Sequence, residues 1–478
     1  MLPVQGAEAP TQQYSPLAVQ AELDELYAKL KDAHYDLFAR RSREDYDRRY
    51  LALRRSFDTP MRPLEIQKQF QRFVAYGNVA HAQIPLPFGE FREFIDAGGR
   101  ILPFSVRVID DRVFITQHAS GVDALRPGAE LLEVNGRPAL DWLTDLERYI
   151  SADHPQLAHG LLEFWLEALV WLEYGEPETL TITVREAVRE AAGKPREFVI
   201  PFRSIEAIRE TRRQQPDIEP GADFNTREVR LLDDGIAYLR PGPFYNTGGE
   251  PMWDDTAFRA FIDAAFEKIL EAKSKDLLID LRNNPGGDKS FSDLMVAWIA
   301  DRDFQFYSTF QFKVSEPTRN AILEREETYA GLPEASRRLM REMAELVRTH
   351  DDGEIVALDI GDASPRPAPR FEGRVYALIN RHSYSNATAV AALLQDYGFA
   401  TLLGETTDDL PSSYGAAEKF TLSRTGIDVH YPKSWFVRPN GDARVQGVVP
   451  DIRIPSPVVE TAEDRVLASA MEHIQQRR

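Results

Sequence analysis

The sequence contains no cysteine among its 478 residues. Disulfide bonds, thiolate metal ligands and a cysteine nucleophile are therefore excluded together. Long apolar runs are also missing, and because a membrane-spanning helix needs about 18 or more of them in succession, no span is predicted. Neither GxxxxGK followed by Ser or Thr, which binds phosphates, nor the zinc motif HExxH occurs. We therefore expect no cofactor and no metal site.

Positive charge is scarce, since 57 Lys and Arg stand against 76 Asp and Glu and leave a net charge of -19. Recognition of nucleic acid needs a basic face, so no nucleic-acid partner is expected. The opening residues, MLPVQGAEAP, lack the basic and apolar regions of a signal peptide. One interpretation is the scar of a removed leader, which predicts a periplasmic or secreted protein.

The N-terminal part of the sequence predicts a helical unit. Ser15 is a favourable N-cap, the proline after it suits the first helical position, and apolar residues then recur at helical spacing. Similar patterns cover 43–56 and 63–75. We predict a flexible lead-in over 1–14 and a helical unit over 15–98.

A β-rich module is predicted next, over 99–202. The segment FSVRVIDDRVFITQ alternates apolar and polar residues at period two, as a half-buried strand does. One long helical stretch, over 139–175, interrupts the strands. Residues 203–228 hold few apolar residues and two prolines, and they are interpreted as a linker.

The remaining sequence alternates short apolar strands, such as 277–281 and 375–379, with helical patterns. This order predicts a mostly parallel sheet with helices on both faces, in a core over 229–460. A charged helical insertion at 315–350 is interpreted either as a lid or as a solvated helical pair. A last helix is expected within 461–478.

Two strand-to-helix corners of this core carry candidate chemistry. In LLIDLRNNPGGDKSFSDL, Gly286 and Gly287 permit positive φ and expose N–H groups that can receive an anion, although a plain turn would look the same. In NRHSYSNATAVAALLQDYGF, Ser385 precedes a predicted helix over 386–397, where the N–H of Asn386 is free and the helix dipole favours negative charge. A serine there could also be a simple N-cap. Together the corners indicate acyl transfer.

Three motifs, DLRNNPGG (280–287), NRHSYSNATAVAALLQDYGFATLLGETT (380–407) and VQGVVPDI (445–452), together resemble the C-terminal-processing, or tail-specific, serine peptidases. The wider group includes the tricorn-type proteases. A further stretch, LRPGAELLEVNG, is similar to the end of a PDZ-like domain. The resemblance implies a multidomain α/β protein with a crotonase- or ClpP-like core, a mostly parallel sheet, an N-terminal helical unit and a β-rich PDZ-like module.

The resemblance selects Ser385 rather than Ser383 as the nucleophile. In the family, this serine stands eleven residues before the aspartate of a QDYG-like segment, which is Asp396 here. The implied oxyanion donors are the backbone N–H groups of Gly286 or Gly287 and of Asn386.

The family's usual base, a lysine, is missing from this sequence. Its position falls near Leu410, and the nearest downstream lysine is Lys419, so a Ser–Lys pair loses support. Other relatives use a histidine located before the β module, and His81 in AYGNVAHAQIPLPF matches it. An imidazole, with an ordinary pKa near 6.5, can accept a hydroxyl proton at neutral pH. His382 and His430 are rival candidates.

The third catalytic residue stays open. In the histidine-type relatives it is a glutamate shortly before a G-V-x-P-D segment, but NGDARVQGVVPDI has Arg444 there, with Gln446 nearby. Three carboxylates are candidates to orient the histidine: Asp442, Glu405 and Asp396.

The resemblance implies a serine peptidase that acts on peptides or unfolded protein through an acyl-enzyme on Ser385, with His81 as general base. Two alternatives remain: a ligand- or peptide-binding protein that has lost catalysis on the same scaffold, and a crotonase-like acyl-CoA enzyme. The sequence is compatible with an oligomer. It contains no internal repeats that would suggest a solenoid.

Overall fold

The structure is a computed structural model that describes residues 12–188, 191–215, 223–249, 251–326 and 334–477. Among these residues, no helix combines the length and apolar character needed to cross a membrane.

Four helices form the N-terminal unit: α1 (Pro16–Ala33), α2 (Arg43–Ser56), α3 (Pro63–Ala75) and α4 (Phe88–Asp96). The Oγ of Ser15 accepts a hydrogen bond from the N–H of Ala18, so the predicted N-cap is the one that forms. Apolar residues at helical spacing, among them Leu23, Leu26 and Phe70, are fully buried in one cluster. The helix boundaries at 43–56 and 63–75 match the sequence prediction.

The next unit contains an antiparallel sheet and two helices. Its elements in chain order are β1 (Phe104–Ile109), β2 (Arg112–His118), β3 (Glu130–Val134), β4 (Arg137–Pro138), α5 (Ala139–Glu147), α6 (Pro155–Tyr174), β5 (Thr179–Arg185), β6 (Ala187–Val188), β7 (Ala191–Ala192) and β8 (Arg196–Pro201). The main sheet has the order β1-β2-β3-β5-β8. The single helical stretch expected over 139–175 is two helices, because His154 caps a new helix that begins at Pro155. The PDZ-like identity of this unit stays a prediction.

The stretch predicted as a linker contains a helix, α7 (Ile205–Arg213). Ser204 caps it, and Ile208 is fully buried against Ile101 and Ala119. Burial of one such side chain is worth about 1.5–3 kcal/mol, which is enough to hold a short helix with few other apolar residues. The sequence pattern missed this helix because its apolar face is only one or two residues wide.

The core begins with the elements of a six-stranded sheet and its helices: β9 (Glu228–Leu231), β10 (Ile236–Arg240), α8 (Thr256–Glu271), β11 (Asp276–Asp280) and α9 (Lys289–Val296). It continues with β12 (Thr309–Lys313), α10 (Glu316–Glu324), α11 (Glu334–Thr349), β13 (Ile355–Ala357), β14 (Arg374–Ile379), α12 (Asn386–Tyr397), β15 (Thr401–Gly404), β16 (Ser413–Thr421), β17 (Asp428–Val437), β18 (Ile452–Arg453) and α13 (Arg465–Gln476).

The main core sheet has the strand order β18-β15-β14-β11-β10-β9. Every neighbouring pair is parallel except β9 with β10, which confirms the prediction of a mostly parallel sheet. Successive residues of a strand point to opposite faces. Accordingly Leu277 and Ile279 of β11 pack in the cluster that contains α8, α9 and α12, whereas Leu278 packs in the cluster that contains α13. Both faces are therefore covered, as a parallel sheet requires.

A second core sheet, not expected from the sequence, has the order β13-β12-β17-β16 and is antiparallel. The insertion predicted at 315–350 has helices in its described residues: α10 and α11 pack through residues such as Ile322 and Val347 against this sheet, and residues 327–333 lie outside the described part. On the hairpin of β16 and β17, Tyr431 and Phe420 join the buried cluster of the N-terminal helices. This contact docks the helical unit beside the core.

Candidate active site

The candidate nucleophile lies at the carboxyl end of β14, next to the carboxyl end of β11. The two strands pair in parallel, from Asp276 with Arg374 to Asp280 with Leu378, so their following corners meet at one edge of the sheet. There the N–H of Tyr384 donates to the carbonyl of Asn284 at 2.9 Å. The pairing of two strands thus brings the glycine corner and the serine corner together.

Ser385 adopts a backbone conformation that is unfavourable for a residue with a side chain, with φ 53° and ψ -122°. Its side chain makes no capping hydrogen bond to the helix that follows. The simple N-cap role considered from the sequence is therefore not the one that its hydroxyl plays. A strained serine between a strand and a helix is the arrangement by which hydrolases present a nucleophile.

Ser383 has a different environment. Its hydroxyl is fully buried, donates to the carbonyl of Leu281 at 2.8 Å and accepts from the N–H of Asn380 at 3.1 Å. It ties the two corners together. The sequence spacing favoured Ser385 over Ser383 as the nucleophile. The structure agrees with this choice, because the Ser383 hydroxyl is engaged in hydrogen bonds within the corner.

Gly286 lies directly against the serine corner, with φ 86°. A Cβ at this position would come within 2.6 Å of the backbone N of Asn386 and 2.8 Å of the Cβ of Ser385. No side chain fits there, so glycine is required by close approach as well as by its positive φ. For Gly287, a Cβ would collide with the carbonyl oxygen of Phe244.

The backbone donors near Ser385 are not equivalent. The N–H of Gly286 donates to Oδ1 of Asn284 at 2.9 Å, within its own loop. Asn386 is the first residue of α12, where a backbone N–H has no partner inside the helix. Of the two glycines, Gly287 therefore has the N–H that is better placed to act with Asn386, because it is not engaged in this loop contact.

His81 reaches the corner from the segment between α3 and α4. Its ring stacks on Tyr384, the residue before the serine, with ring centroids 5.8 Å apart and an interplanar angle of 25°. Within the described part of the chain, its buried Nδ1 atom has no hydrogen-bond partner. The structure thus places His81 against the residue that precedes the predicted nucleophile, although 304 positions separate His81 from Ser385.

Contacts on both sides position the His81 segment. On one side, the N–H of Ala80 donates to Oδ2 of Asp153 at 3.2 Å, and Oδ1 of Asp153 forms an ion pair with Arg40 at 3.2 Å. On the other, Gln83 forms an antiparallel bridge with His430 on β17. His81 is therefore held between the β-rich unit and the core.

Asp409 is the residue of this site that the sequence reasoning missed. Its carboxylate is almost fully buried, and its Oδ2 accepts a hydrogen bond of 2.5 Å from the N–H of Ser385. Burial raises the pKa of Asp409, while the charge of His81 and the N–H of Ser385 act to lower it. The sequence feature that could have indicated Asp409 is the pair of acids in GETTDDLPSSYG. This segment was considered only because it lacks the lysine of the family.

His382, a rival base, is engaged elsewhere. Its Nε2 lies 3.2 Å from Oε2 of Glu163 on α6, and its ring packs on Phe164 with centroids 4.2 Å apart. Burial would raise the pKa of Glu163, but the neighbouring His382 and the guanidinium groups of Arg107 and Arg381 hold it below its usual value. These residues join the β-rich unit to the serine corner.

The comparison with known families concerns mainly the core. The family model for peptidase family S41 matches residues 236–454, which include the glycine corner, the serine corner and Asp409. The core belongs to peptidase family S41. The chain is therefore a serine peptidase, a hydrolase whose substrate is peptide or protein. None of the curated proteins matches the sequence.

Solved structures show the same fold over nearly the whole chain. The structure of mature CPAF complexed with lactacystin is 17% identical, with a TM-score of 0.65 over 96% of this chain and 97% of that one. A structure of mature CPAF alone is 16% identical, with a TM-score of 0.64 over 92% of both chains. The helical unit and the β-rich unit are therefore parts of a shared architecture and not only additions to the S41 core.

The three carboxylates predicted as orienting residues all lie in other ion pairs. Asp442 pairs with Arg444 at 2.6 Å, and this contact lowers the pKa of Asp442 to about 2. The other two pairs join Glu405 with Arg381 at 3.4 Å and Asp396 with Arg438 at 2.6 Å. Their catalytic role stays a prediction, and the contacts described here assign them to loop and helix-end positions.

Leu410, near which the family's lysine position is expected to fall, is buried. The nearest downstream lysine, Lys419, lies on β16 and pairs with Asp428 at 2.6 Å. Among the described residues, no group of three or more His, Asp or Glu side chains is arranged to hold a metal ion.

Proposed function

We propose that this S41 peptidase hydrolyses peptide bonds through an acyl-enzyme on Ser385, with His81 as the general base. Ser385 Oγ attacks the substrate carbonyl carbon while its proton passes to His81. The tetrahedral intermediate collapses, the C–N bond breaks, and His81 returns the proton to the leaving amine. Water then repeats the sequence on the ester and frees the serine.

The observation that carries this proposal is the conformation of Ser385. A positive φ at a serine costs free energy on the order of 1–3 kcal/mol and persists only where the surroundings impose it. Here Gly286 packs against its Cβ, and its hydroxyl makes no capping bond. We assign the backbone N–H groups of Gly287 and Asn386 to the oxyanion.

The assignment of His81 rests on its contact with Tyr384 and on the engagement of its rivals. His382 faces Glu163, and the backbone of His430 pairs with Gln83 at the edge of the second sheet. His81 is the histidine whose ring touches the residue before the serine. Because the lysine of related peptidases is replaced by the apolar Leu410, an imidazole is the group that can take the proton.

The substrate class we propose is extended polypeptide, as in peptidases that process chain ends. Peptide-bond hydrolysis needs a substrate backbone that can enter a corner lined by backbone N–H groups, and an unfolded segment supplies this at the lowest cost. We expect a permanently unfolded protein to be degraded and its folded, disulfide-bonded form to resist. Equal degradation of both forms would contradict this preference.

A fluorophosphonate probe tests the nucleophile. We expect the wild-type protein to be labelled on the peptide that contains Ser385, and Ser385→Ala to lose all labelling. Ser383→Ala is the matched control, because it removes a neighbouring hydroxyl that binds the corner together. This variant should unfold more readily, by about 1–3 kcal/mol, but each folded molecule should still be labelled.

Two outcomes would contradict the proposal. Labelling that survives in Ser385→Ala would place the nucleophile elsewhere. A wild-type protein that is not labelled at all would favour the catalytically inactive binding protein, which keeps the same scaffold.

A further inference from the structure

The carboxylate of Asp409 has one oxygen engaged and one oxygen free. Oδ2 accepts the N–H of Ser385 at 2.5 Å, whereas the buried Oδ1 has no partner within the described residues. Asp409 is only 1% exposed, so bulk solvent does not reach the free oxygen. A buried acceptor without a partner needs an explanation, and a donor that becomes available during the reaction would be one.

The complementary group is His81. Its Nδ1 is also buried without a partner in the described part of the chain, and its ring stacks on Tyr384, which adjoins Ser385. A charge on His81 acts on the Asp409 carboxyl strongly enough to be its first electrostatic influence after burial. The residue with the unpartnered nitrogen, His81, thus contacts Tyr384, and the residue with the unpartnered oxygen, Asp409, bonds to the next residue in the chain, Ser385.

Asp153 is the nearest competitor for His81. Its Oδ1 is paired with Arg40, and its Oδ2 accepts the N–H of Ala80. Both oxygens are thus engaged, and the charge is balanced by a guanidinium. Of these two acids, Asp409 is the one with a buried oxygen that has no partner among the described residues.

We propose that Asp409 is the positioning residue of the Ser385–His81 pair, holding the nucleophile's backbone with one oxygen and the imidazolium of His81 with the other. This inference rests on the proposed function, and it takes the place of the glutamate that is missing at Arg444. The same carboxylate then couples two requirements of the reaction, the conformation of the serine and the charge on its base.

The proton movements follow directly. As Ser385 Oγ bonds to the carbonyl carbon, its proton passes to Nε2 of His81, and the ring becomes positively charged. The Nδ1–H then donates to Oδ1 of Asp409, which stays a carboxylate and stabilises the cation. When the C–N bond breaks, Nε2 gives its proton to the leaving nitrogen, and the ring is neutral again.

The charged and titratable groups that surround Asp409 come from all three units. The helical unit contributes His81, and the β-rich unit contributes Asp153, which is paired with Arg40 of the helical unit. The core contributes Tyr384, Tyr307 and Asp408. Among these groups, the cation that can appear during turnover is His81. The other groups alter the electrostatic potential at Asp409, but they do not change the sign of the interaction between Asp409 and charged His81.

The test is the variant Asp409→Asn, because asparagine keeps a carbonyl oxygen for the N–H of Ser385, removes the charge and replaces the second oxygen with an NH2 group that cannot accept from His81. The measurement is the second-order rate of fluorophosphonate labelling from pH 5 to pH 9. We expect the rate at pH 8 to fall by about 10²–10⁴-fold. The ascending limb of the rate–pH profile should move to lower pH, because a lost anion makes the imidazole easier to deprotonate.

Two matched variants separate this role from its neighbours. Asp408→Asn changes the adjacent, half-buried acid, which does not bond to Ser385. We expect the labelling rate to stay within about threefold of wild type and the ascending limb within a few tenths of a pH unit. Asp153→Asn should weaken the contact that positions the His81 segment and so lower the labelling rate, but it should not shift the ascending limb of the rate–pH profile. If Asp153→Asn moves the limb and Asp409→Asn does not, the proposal is overturned.

Further outcomes are equally decisive. A loss of rate in Asp409→Asn that is the same at every pH would reduce Asp409 to a structural contact and overturn the proposal. If Asp409→Asn does not fold, Asp409→Ser, which is also neutral and keeps an oxygen, is measured in the same way. An unlabelled wild-type protein overturns the proposed function itself, whereas a labelled wild type with an unchanged Asp409→Asn profile overturns this inference alone.

Discussion

The imidazole ring of His81 lies against the phenol ring of Tyr384, with centroids 5.8 Å apart and planes inclined by 25°. Tyr384 directly precedes Ser385, so this contact joins the N-terminal helical unit to the serine corner of the core. Tyr384 is half-buried, and the desolvation of its hydroxyl raises the pKa of that group well above the usual value. The ring thus acts as a neutral, rigid surface against which His81 is oriented.

Replacing Tyr384 should therefore affect the reaction through the orientation of His81. We expect Tyr384→Phe, which keeps the ring, to label with a fluorophosphonate within a few fold of wild type. Tyr384→Ala removes the ring and should slow labelling by about 10²-fold, the usual cost of a displacement near 1 Å. Equal rates for the two variants would show that the stacking does not position the base.

Gly286 offers a test of the contact between the two corners. Gly286→Ala would place a methyl group 2.6 Å from backbone atoms of Asn386 and Tyr384, and these atoms cannot turn away as a side chain would. We expect hydrolysis of an unfolded substrate to fall by about 10²–10³-fold, as when an oxyanion donor is lost. Full activity would mean that the corner can shift without harm.

The control is Gly89→Ala, an exposed position in α4 where an added Cβ meets nothing within 4 Å. Activity should be unchanged there, and the helix should gain about 0.5–1 kcal/mol from the loss of glycine flexibility.

Glu163 should contribute strongly to the contact between the β-rich unit and the core. It is buried and lies within 3.5 Å of Arg107, 3.2 Å of Arg381 and 3.2 Å of His382. Glu163→Gln removes the negative charge that Arg107, Arg381 and His382 share, and we expect the free energy of unfolding to fall by about 3–5 kcal/mol in urea denaturation. The exposed pair of Asp301 and Arg302 is the matched control, and Asp301→Asn should cost less than about 1 kcal/mol. Equal effects would contradict the assignment.

His34 predicts a defined pH dependence of stability. Burial, assisted by the charge of Lys313, lowers the pKa of His34 to about 3. The unfolded chain takes up a proton below its ordinary pKa near 6.5, while the folded chain does so only near 3, so stability is lost as the pH falls through this window. Between pH 7 and pH 4.5, we expect this residue to account for roughly 2 kcal/mol of the loss.

The measurement is the free energy of unfolding at the two pH values for wild type and for His34→Asn. Asparagine does not titrate there and can still accept the N–H of Asp36, which His34 accepts at 3.1 Å. The pH dependence should be smaller in the variant, whatever its absolute stability. An identical difference in both proteins would show that His34 is not responsible.

Local elements were well predicted from the sequence, because their signals are local. The helix Asn386–Tyr397 and the strand Arg374–Ile379 are bounded by turn residues and carry a clear apolar pattern, and both lie where expected. The helix over 205–213 was missed because Ile208 is its sole fully buried residue. The antiparallel sheet was missed because β12 and β13 are short and separated by two helices.

The candidate site divides in the same way. Part of the site could be predicted from sequence motifs, because the spacing of residues along the chain identifies them: Ser385, Gly286, Gly287 and Asn386. Asp409 has no such pattern, since its importance depends on one hydrogen bond to a residue in another loop. The ion pair of His382 with Glu163 was likewise invisible, because it crosses from the core to another unit.

The sequence by itself determined the family of the core, the order of its strands and helices, and the two corners that hold the serine and the glycines. Each of these depends on residues close together in the chain, whose periodicity, turn chemistry and spacing can be read directly. Only the tertiary structure decided which hydroxyl is held in a strained conformation, which histidine lies beside it and which acid has an oxygen left free. These three features depend on contacts between segments that are distant in the sequence. Such contacts form only when the helical unit, the β-rich unit and the core pack together.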